Sequence, residues 1–143
     1  MTDEQSVECE SDPRFPSGRW AGFFVDGRIP GKHQMELLLT FRSGVMTGEG
    51  RDFVGKFVIR GQYAISDGKC HWHKRYLGRH DVFYQGFNEG KGIWGTWELI
   101  PKELYGHVHG GFHIWPEKMG DAEHVSLVEE ASVPANSEVL VEA

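Results

Sequence analysis

Hydrophobic and polar residues alternate along most of the chain between residues 18 and 116, in short runs that glycine and proline separate. Alternation with a period of two residues is typical of β-strands that have one buried and one solvated face. In residues 33–42, for example, Met35, Leu37, Leu39 and Phe41 fall on one face of the predicted strand. The pattern therefore predicts an all-β protein.

These runs predict eight strands, at residues 19–25, 33–42, 45–50, 53–66, 69–77, 80–87, 91–100 and 104–115. The Ser43-Gly44 and Asp67-Gly68 pairs indicate tight hairpins, and residues 26–32 predict a longer loop at one end of the sheet. Consecutive hairpins give an antiparallel meander, which can close on itself and so remove its exposed edges. We expect a closed eight-stranded antiparallel up-and-down barrel, with a two-sheet β-sandwich as the alternative.

Composition divides the chain into one folded body and two acidic ends. Its 143 residues suit a single domain, and 13% aromatic residues are enough to build a core. Residues 1–13 predict a disordered acidic tail, and residues 14–116 the barrel domain. Residues 117–143 predict a second acidic tail, which is disordered or forms a short helix.

Charge and cysteine content narrow the expected setting and partners. Residues 14–116 contain fourteen Lys and Arg against nine Asp and Glu, so a basic body lies between acidic ends and could attract anionic partners. No apolar run is long enough to span a membrane, and the acidic N-terminus is unlike a signal peptide, so no membrane partner is expected. Cys9 and Cys70 are not predicted to pair, which favours a reducing, cytoplasmic setting.

The tripeptide Gly18-Arg19-Trp20 opens the first predicted strand of this eight-stranded meander. In both respects the chain resembles the calycins, the group that contains the lipocalins and the avidins. The resemblance implies a barrel that binds a small, largely apolar ligand in its mouth, with Trp20 at the base. The last predicted strand ends without the Arg or Lys that lipocalins pack on that tryptophan.

The chain has more aromatic residues than a small barrel needs for its own packing. We therefore expect a minority of them to line a ligand pocket. The predicted ligand-binding residues are Trp72, Tyr76, Tyr84, Trp94 and Phe112. By their position in the predicted strands, Tyr84 and Trp94 share one face, and Trp97 lies on the opposite face.

Histidines provide an alternative site. The candidates occur as two His-x-His pairs and one further residue, and they are His71, His73, His107, His109 and His113. Two histidines of one pair would lie roughly 6.6–6.8 Å apart along a strand, which is close enough to chelate a metal. The alternation places them opposite the apolar residues, so we expect them to point outward and to bind no metal. If they instead turned inward, four imidazoles would converge and zinc, iron or haem would be the expected cofactor.

The charged residues form no recognisable catalytic or nucleic-acid-binding motif. Four acidic residues of the body are predicted to be surface charges, namely Glu49, Asp52, Asp81 and Glu98. Four basic residues are predicted to surround one hairpin tip, namely Lys74, Arg75, Arg79 and His80. The signatures of RNA-binding domains are absent, so nucleic acid is not an expected partner. No catalytic motif is present, which favours a protein that is not an enzyme.

The sequence therefore predicts a non-enzymatic binding domain that takes a small apolar or amphipathic molecule, or a peptide, at one barrel mouth. A metal- or haem-binding protein that uses the His-x-His strands is one alternative. A protein–protein interaction module is another, and a homodimer is one form that it could take.

Overall fold

The computed structural model describes residues 9–117, and in this range it contains eight β-strands and one short helix. The strands are β1 (Gly18–Asp26), β2 (Ile29–Arg42), β3 (Val45–Arg51), β4 (Lys56–Tyr63), β5 (Lys69–Tyr76), β6 (Asp81–Asn88), β7 (Ile93–Ile100) and β8 (His109–Pro116). Helix α1 (Lys102–Tyr105) lies between β7 and β8. The expectations for residues 1–8 and 118–143, including a short helix near the C-terminus, lie outside the described residues.

The strands form one closed sheet. Each strand pairs antiparallel with the next one along the chain, and β8 pairs with β1. In that closing pair, Trp20 lies opposite Pro116, and Phe24 lies opposite Phe112. The predicted eight-stranded up-and-down barrel is confirmed, and the two-sheet sandwich is excluded. A closed sheet has no edge strand on which a second chain could add a β-ladder.

Side chains fill the interior of the barrel. In β5, exposed and buried residues alternate without exception, so Cys70, Trp72, Lys74 and Tyr76 point inward. The largest fully buried side chains include Trp20, Phe23, Phe41, Phe57, Trp72 and Tyr84. Most of these point into the lumen, which in an eight-stranded barrel is just wide enough for such side chains to fill.

Residues 9–17 close one end of the barrel, which we call the plugged end. Phe15 is fully buried there, with its ring 4.8 Å from the ring of Tyr63. The indole of Trp20 donates to the carbonyl of Pro16 at 2.8 Å, and Tyr63 donates to the carboxylate of Glu10 at 2.6 Å. These contacts tie the N-terminal segment to the plugged end of the barrel. Residues 9–13, which the sequence assigns to a disordered tail, are part of this segment.

The opposite end, which we call the mouth, carries the β1–β2, β3–β4 and β5–β6 connections together with α1. The long loop predicted at residues 26–32 is wrong, because β1 continues to Asp26 and β2 begins at Ile29. The register of β1 against β2 shifts between Val25 and Asp26, and Pro30 lies within this irregular part of the pairing. The β3–β4 connection is longer than predicted, because β4 begins at Lys56.

Candidate functional site

A buried ion pair lies inside the barrel, beneath the mouth. Lys74 on β5 donates from Nζ to Oδ2 of Asp52 at 2.8 Å, and both side chains are almost completely buried. The same ammonium donates to the hydroxyl of Tyr84 at 3.0 Å and lies 3.3 Å from Sδ of Met35. Tyr76 donates to Oδ2 of Asp52 at 2.6 Å. Both charges therefore have the polar partners that a buried ion pair requires.

Four aromatic rings surround the ammonium of Lys74. Their centroids lie 4.4 Å from Nζ for Phe57, 4.9 Å for Tyr76, 5.0 Å for Phe24 and 5.1 Å for Tyr84. All four are within the distance of about 6 Å at which a ring face attracts a cation. Rings and a carboxylate around an ammonium can also bind a ligand cation, but here the occupant is the chain's own lysine. We call these rings and Asp52 the lysine cage.

Burial shifts the pKa of Lys74 and of the two tyrosines beside it. It lowers the pKa of Lys74 to about 8, and the adjacent carboxylate of Asp52 offsets part of that effect. Burial, with Tyr84 and Asp52 as further causes, raises the pKa of Tyr76 far above its ordinary value. Burial likewise raises the pKa of Tyr84. Both phenols are therefore protonated at neutral pH, so neither can serve as a base there.

The β3–β4 loop places Asp52 by local hydrogen bonds. The backbone groups of Asp52 and Gly55 bond to each other in both directions at 3.1 Å. The amide of Val54 donates to Oδ1 of Asp52 at 2.9 Å, which leaves Oδ2 to face Lys74 and Tyr76. Gly55 adopts a φ of +152°, a conformation that favours glycine. The loop therefore turns the carboxylate into the barrel.

Phe53 forms one side of the mouth, directly after Asp52. Its side chain is 61% exposed, yet its ring stacks on Phe24 at 6.1 Å and lies 5.0 Å from the ring of His33. A surface cavity of about 370 Å³ lies beside it. The cavity is lined by Lys32, His33, Gln34, Glu36, Arg51, Asp52 and Phe53. An apolar ring beside charges of both signs suits a ligand with one apolar and one polar part.

His80 lies on another side of the mouth. Its ring is 5.2 Å from the ring of Tyr76 and 5.9 Å from that of Tyr105 in α1. Burial and the nearby guanidinium of Arg28 lower the pKa of His80. Its imidazole is therefore neutral at pH 7 and contributes a ring with both a donor and an acceptor.

Four of the predicted ligand-binding residues, Trp72, Tyr76, Tyr84 and Phe112, are buried inside the barrel. Trp72 stacks on Tyr84 at 5.2 Å, and Phe112 meets both rings edge-on at 5.3 and 4.9 Å. Trp94 does not join them. The expectation that it shares a face with Tyr84 is wrong, because Tyr84 pairs with Trp97 and both point inward, whereas Trp94 is 38% exposed on the outer wall.

The histidines do not converge in the lumen. His71 and His73 point outward, on the face of β5 opposite Trp72, as expected. His107 precedes β8 and is not in a strand, because residues 102–105 form α1 where a strand was predicted. His109 and His113 lie on the outward side of β8. The inward arrangement that would support zinc, iron or haem is not formed, and no group of three or more metal-ligating side chains occurs in residues 9–117.

Sequence reasoning assigned both members of the buried ion pair to the surface, and both assignments are wrong. Lys74 is 1% exposed and not part of a hairpin tip, whereas Arg75 is exposed and pairs with Asp81 at 3.0 Å. The alternation of residues 69–77 puts Lys74 on the same face as Trp72, and this signal could have located it. Asp52 had no such signal, because its loop has no periodic pattern.

Cysteine reactivity provides a simple test of this interior. Cys70 is buried, and burial raises its pKa to about 12, whereas Cys9 is exposed. At pH 8 in native protein, we expect Cys70 to react with Ellman's reagent several orders of magnitude more slowly than Cys9, because almost no thiolate is present and access is blocked. Unfolding in urea should remove the difference. Equal native rates would contradict the burial of Cys70.

These observations define a small closed β-barrel with a plugged end, a buried lysine cage and a mouth that carries an exposed aromatic ring. No known protein family, curated protein or solved structure matches the chain. In the described part of the chain, no helix has the length and apolar character needed to cross a membrane.

Proposed function

We propose that this chain is a non-enzymatic binding domain that takes a small amphipathic ligand at the mouth of the barrel, beside Phe53. The observation that carries the proposal is the difference between the two ends. Phe15 is fully buried in the plugged end, whereas Phe53 remains 61% exposed at the mouth. A large exposed ring next to a cavity is a frequent feature of binding sites.

The packed lumen favours a ligand at the mouth over one deep inside the barrel. Trp72, Tyr84 and Phe112 contact one another, so they serve as a floor and not as a pocket wall. Tyr84 belongs both to this floor and to the lysine cage. Hydrogen bonds from Lys74 and from the amide of Val54 hold Asp52, the residue before Phe53. The ligand's apolar part would stack on Phe53, and its polar part would meet the charges of the adjacent cavity.

The enclosure of Lys74 and the protonation of the two neighbouring tyrosines support a binding function over a catalytic one. The buried amine of Lys74 is enclosed by the lysine cage, and both neighbouring phenols are protonated at neutral pH. A nucleophile or base requires access to the reacting atoms and a matched pKa. The cage therefore supports a structural role for Lys74, within a reducing, cytoplasmic setting that suits the buried thiol of Cys70.

Replacement of Phe53 tests the mouth site. With 1-anilinonaphthalene-8-sulfonate as an amphipathic fluorescent probe, we expect Phe53→Ala to weaken binding about tenfold, because the stacking surface is lost. Ile65→Ala is the matched control, since Ile65 is 51% exposed at the plugged end and should leave the affinity unchanged. Near-ultraviolet circular dichroism verifies that both variants are folded.

Equal binding by wild type and Phe53→Ala would contradict the proposed site. Native mass spectrometry of the purified chain supplies an independent readout, since a mass retained by wild type and lost in Phe53→Ala identifies a ligand at the mouth.

A further inference from the structure

The outer walls of β4 and β5 form a surface of one charge sign. Their outward residues are all exposed and include four Lys or Arg, two His and no Asp or Glu. These residues are Lys56, Val58, Arg60 and Gln62 on β4, and Lys69, His71, His73 and Arg75 on β5. We call this surface the basic wall. Arg75 pairs with Asp81, but Arg60 and Lys69 form no ion pair within residues 9–117.

Aromatic rings continue the same surface across the next two strands. Phe83 on β6 lies opposite His73, and its ring is 5.4 Å from His73 and 6.1 Å from His71. Phe87 lies opposite both Lys69 and Trp94, and its ring is 5.0 Å from the indole of Trp94. We call Phe83, Phe87 and Trp94 the aromatic strip. It lies directly beside the basic wall, on the two strands that follow β5.

A groove opens beside Phe83, at one end of the aromatic strip. Its volume is about 180 Å³. It is lined by Phe83, Gln85, Thr96, Trp97, Glu98 and His109. The groove therefore combines a ring face with amide and hydroxyl groups that can each donate and accept hydrogen bonds. It also contains the carboxylate of Glu98, which lies 3.8 Å from the ammonium of Lys102.

We propose that the basic wall and the aromatic strip together bind single-stranded nucleic acid, with phosphates along β4 and β5 and bases stacked on β6 and β7. Four exposed cations, of which only Arg75 has a carboxylate partner within residues 9–117, attract a polyanion, and aromatic side chains stack on bases of any sequence. An acidic peptide would use the cations but would leave the rings and the groove without partners. The surface lies outside the barrel and is separate from the proposed mouth site.

Fluorescence anisotropy of the full-length chain with fluorescein-labelled oligothymidine tests this proposal. We expect binding that weakens steeply between about 50 and 200 mM salt, because bound phosphates release counterions. The charge reversal Arg60→Glu/Lys69→Glu should weaken binding at least tenfold. Arg19→Glu/Arg42→Glu changes the net charge equally on exposed positions of β1 and β2, and it should have a much smaller effect.

The aromatic contribution is tested separately. Phe83→Ala should weaken oligothymidine binding about tenfold, since stacking on each base contributes measurably to affinity. Leu38→Ala, at an exposed apolar position of β2, is the control and should not change it. No binding at the lowest salt, equal losses in the two charge-reversal variants, or full displacement of oligothymidine by polyglutamate would each overturn the proposal.

Discussion

Replacement of Lys74 by alanine is expected to lower the free energy of unfolding by about 3–5 kcal/mol at pH 7, which is the usual cost of breaking a buried ion pair. The variant leaves the carboxylate of Asp52 inside the barrel without the ammonium that lies 2.8 Å away in the wild type. Tyr76 and the amide of Val54 still donate to that carboxylate, but neutral hydrogen bonds do not replace a buried counter-charge. Urea unfolding monitored by tryptophan fluorescence measures the loss.

A double variant separates the lost charge from the lost packing. In Lys74→Met/Asp52→Leu, both charges are replaced by apolar groups, and most of the stability lost in Lys74→Ala should return. The matched single variant Lys74→Met keeps the volume but leaves Asp52 unpaired, so it should remain destabilised. If Lys74→Met were as stable as wild type, the ion pair would not contribute as its geometry indicates.

The lysine cage also predicts chemical rescue. Lys74→Ala leaves the rings of Phe24, Phe57, Tyr76 and Tyr84 around the space of the missing ammonium, still facing a carboxylate. Propylammonium should bind there and raise the midpoint of unfolding of Lys74→Ala in a saturable manner, because a ligand that binds only the folded chain stabilises it. Wild type, whose cage is occupied, should show no such response.

The pH dependence of stability follows from the same residue. The pKa of Lys74 is about 8 in the folded chain, compared with an ordinary value of 10.5. Between these values the unfolded chain holds more protons, so the free energy of unfolding should rise with pH across this window and fall as the pH drops through about 8. The difference between wild type and Lys74→Met in the free energy of unfolding, measured as a function of pH, isolates this contribution. If the pKa of Lys74 is not lowered, the difference should not change across this window.

Substitution of Gly95 by alanine is the second change with a large expected effect. Gly95 on β7 faces Gly86 on β6, and a Cβ at Gly95 would meet the carbonyl oxygen of Gln85 and the Cα of Gly86. Backbone atoms cannot rotate away as a flexible side chain can, so the two strands must separate. We expect a loss of at least about 3 kcal/mol, because overpacking is costly where the surroundings cannot relax.

Thr96→Ala is the matched control for Gly95→Ala. Thr96 is the next residue of β7, and it is exposed on the outer wall. Its replacement should change the free energy of unfolding by less than about 0.5 kcal/mol. A loss from Gly95→Ala no larger than that from Thr96→Ala, measured by urea unfolding, would show that the close approach of β6 and β7 is not required.

The sequence predicts the fold well because each barrel strand has its own alternating pattern of apolar and polar residues. Each strand has one apolar and one polar face, and the short hairpins leave few choices of neighbour. The wrong assignment of Trp94 shows where this reasoning fails. Alternation states that Trp94 and Trp97 point to opposite faces, but only the register of β7 against β6 decides which of them is inside.

The candidate site is harder to predict, because it combines a strand residue with a loop residue. The alternation of β5 places Lys74 inside, but a lysine in the lumen is credible only with a buried counter-charge nearby. That charge comes from Asp52, whose orientation depends on the closing bonds of its loop. Tertiary contacts of this kind leave no periodic trace in the sequence. The outward orientation of His71 and His73, in contrast, is expected from the apolar residues that alternate with them, and it is confirmed.

The contacts of Glu10 and Phe15 bear on where a fragment of this protein can be cut. A polypeptide that started at Gly18, as the first strand boundary suggests, would lack the ring of Phe15 that packs on Phe41. It would also lack the carbonyl of Pro16 that accepts from the indole of Trp20. The autonomous unit therefore extends upstream of its first strand at least to Glu10, whose amide donates to the carbonyl of Phe41 at 2.8 Å. Fusion partners and purification tags belong ahead of Cys9, where they leave this closure intact.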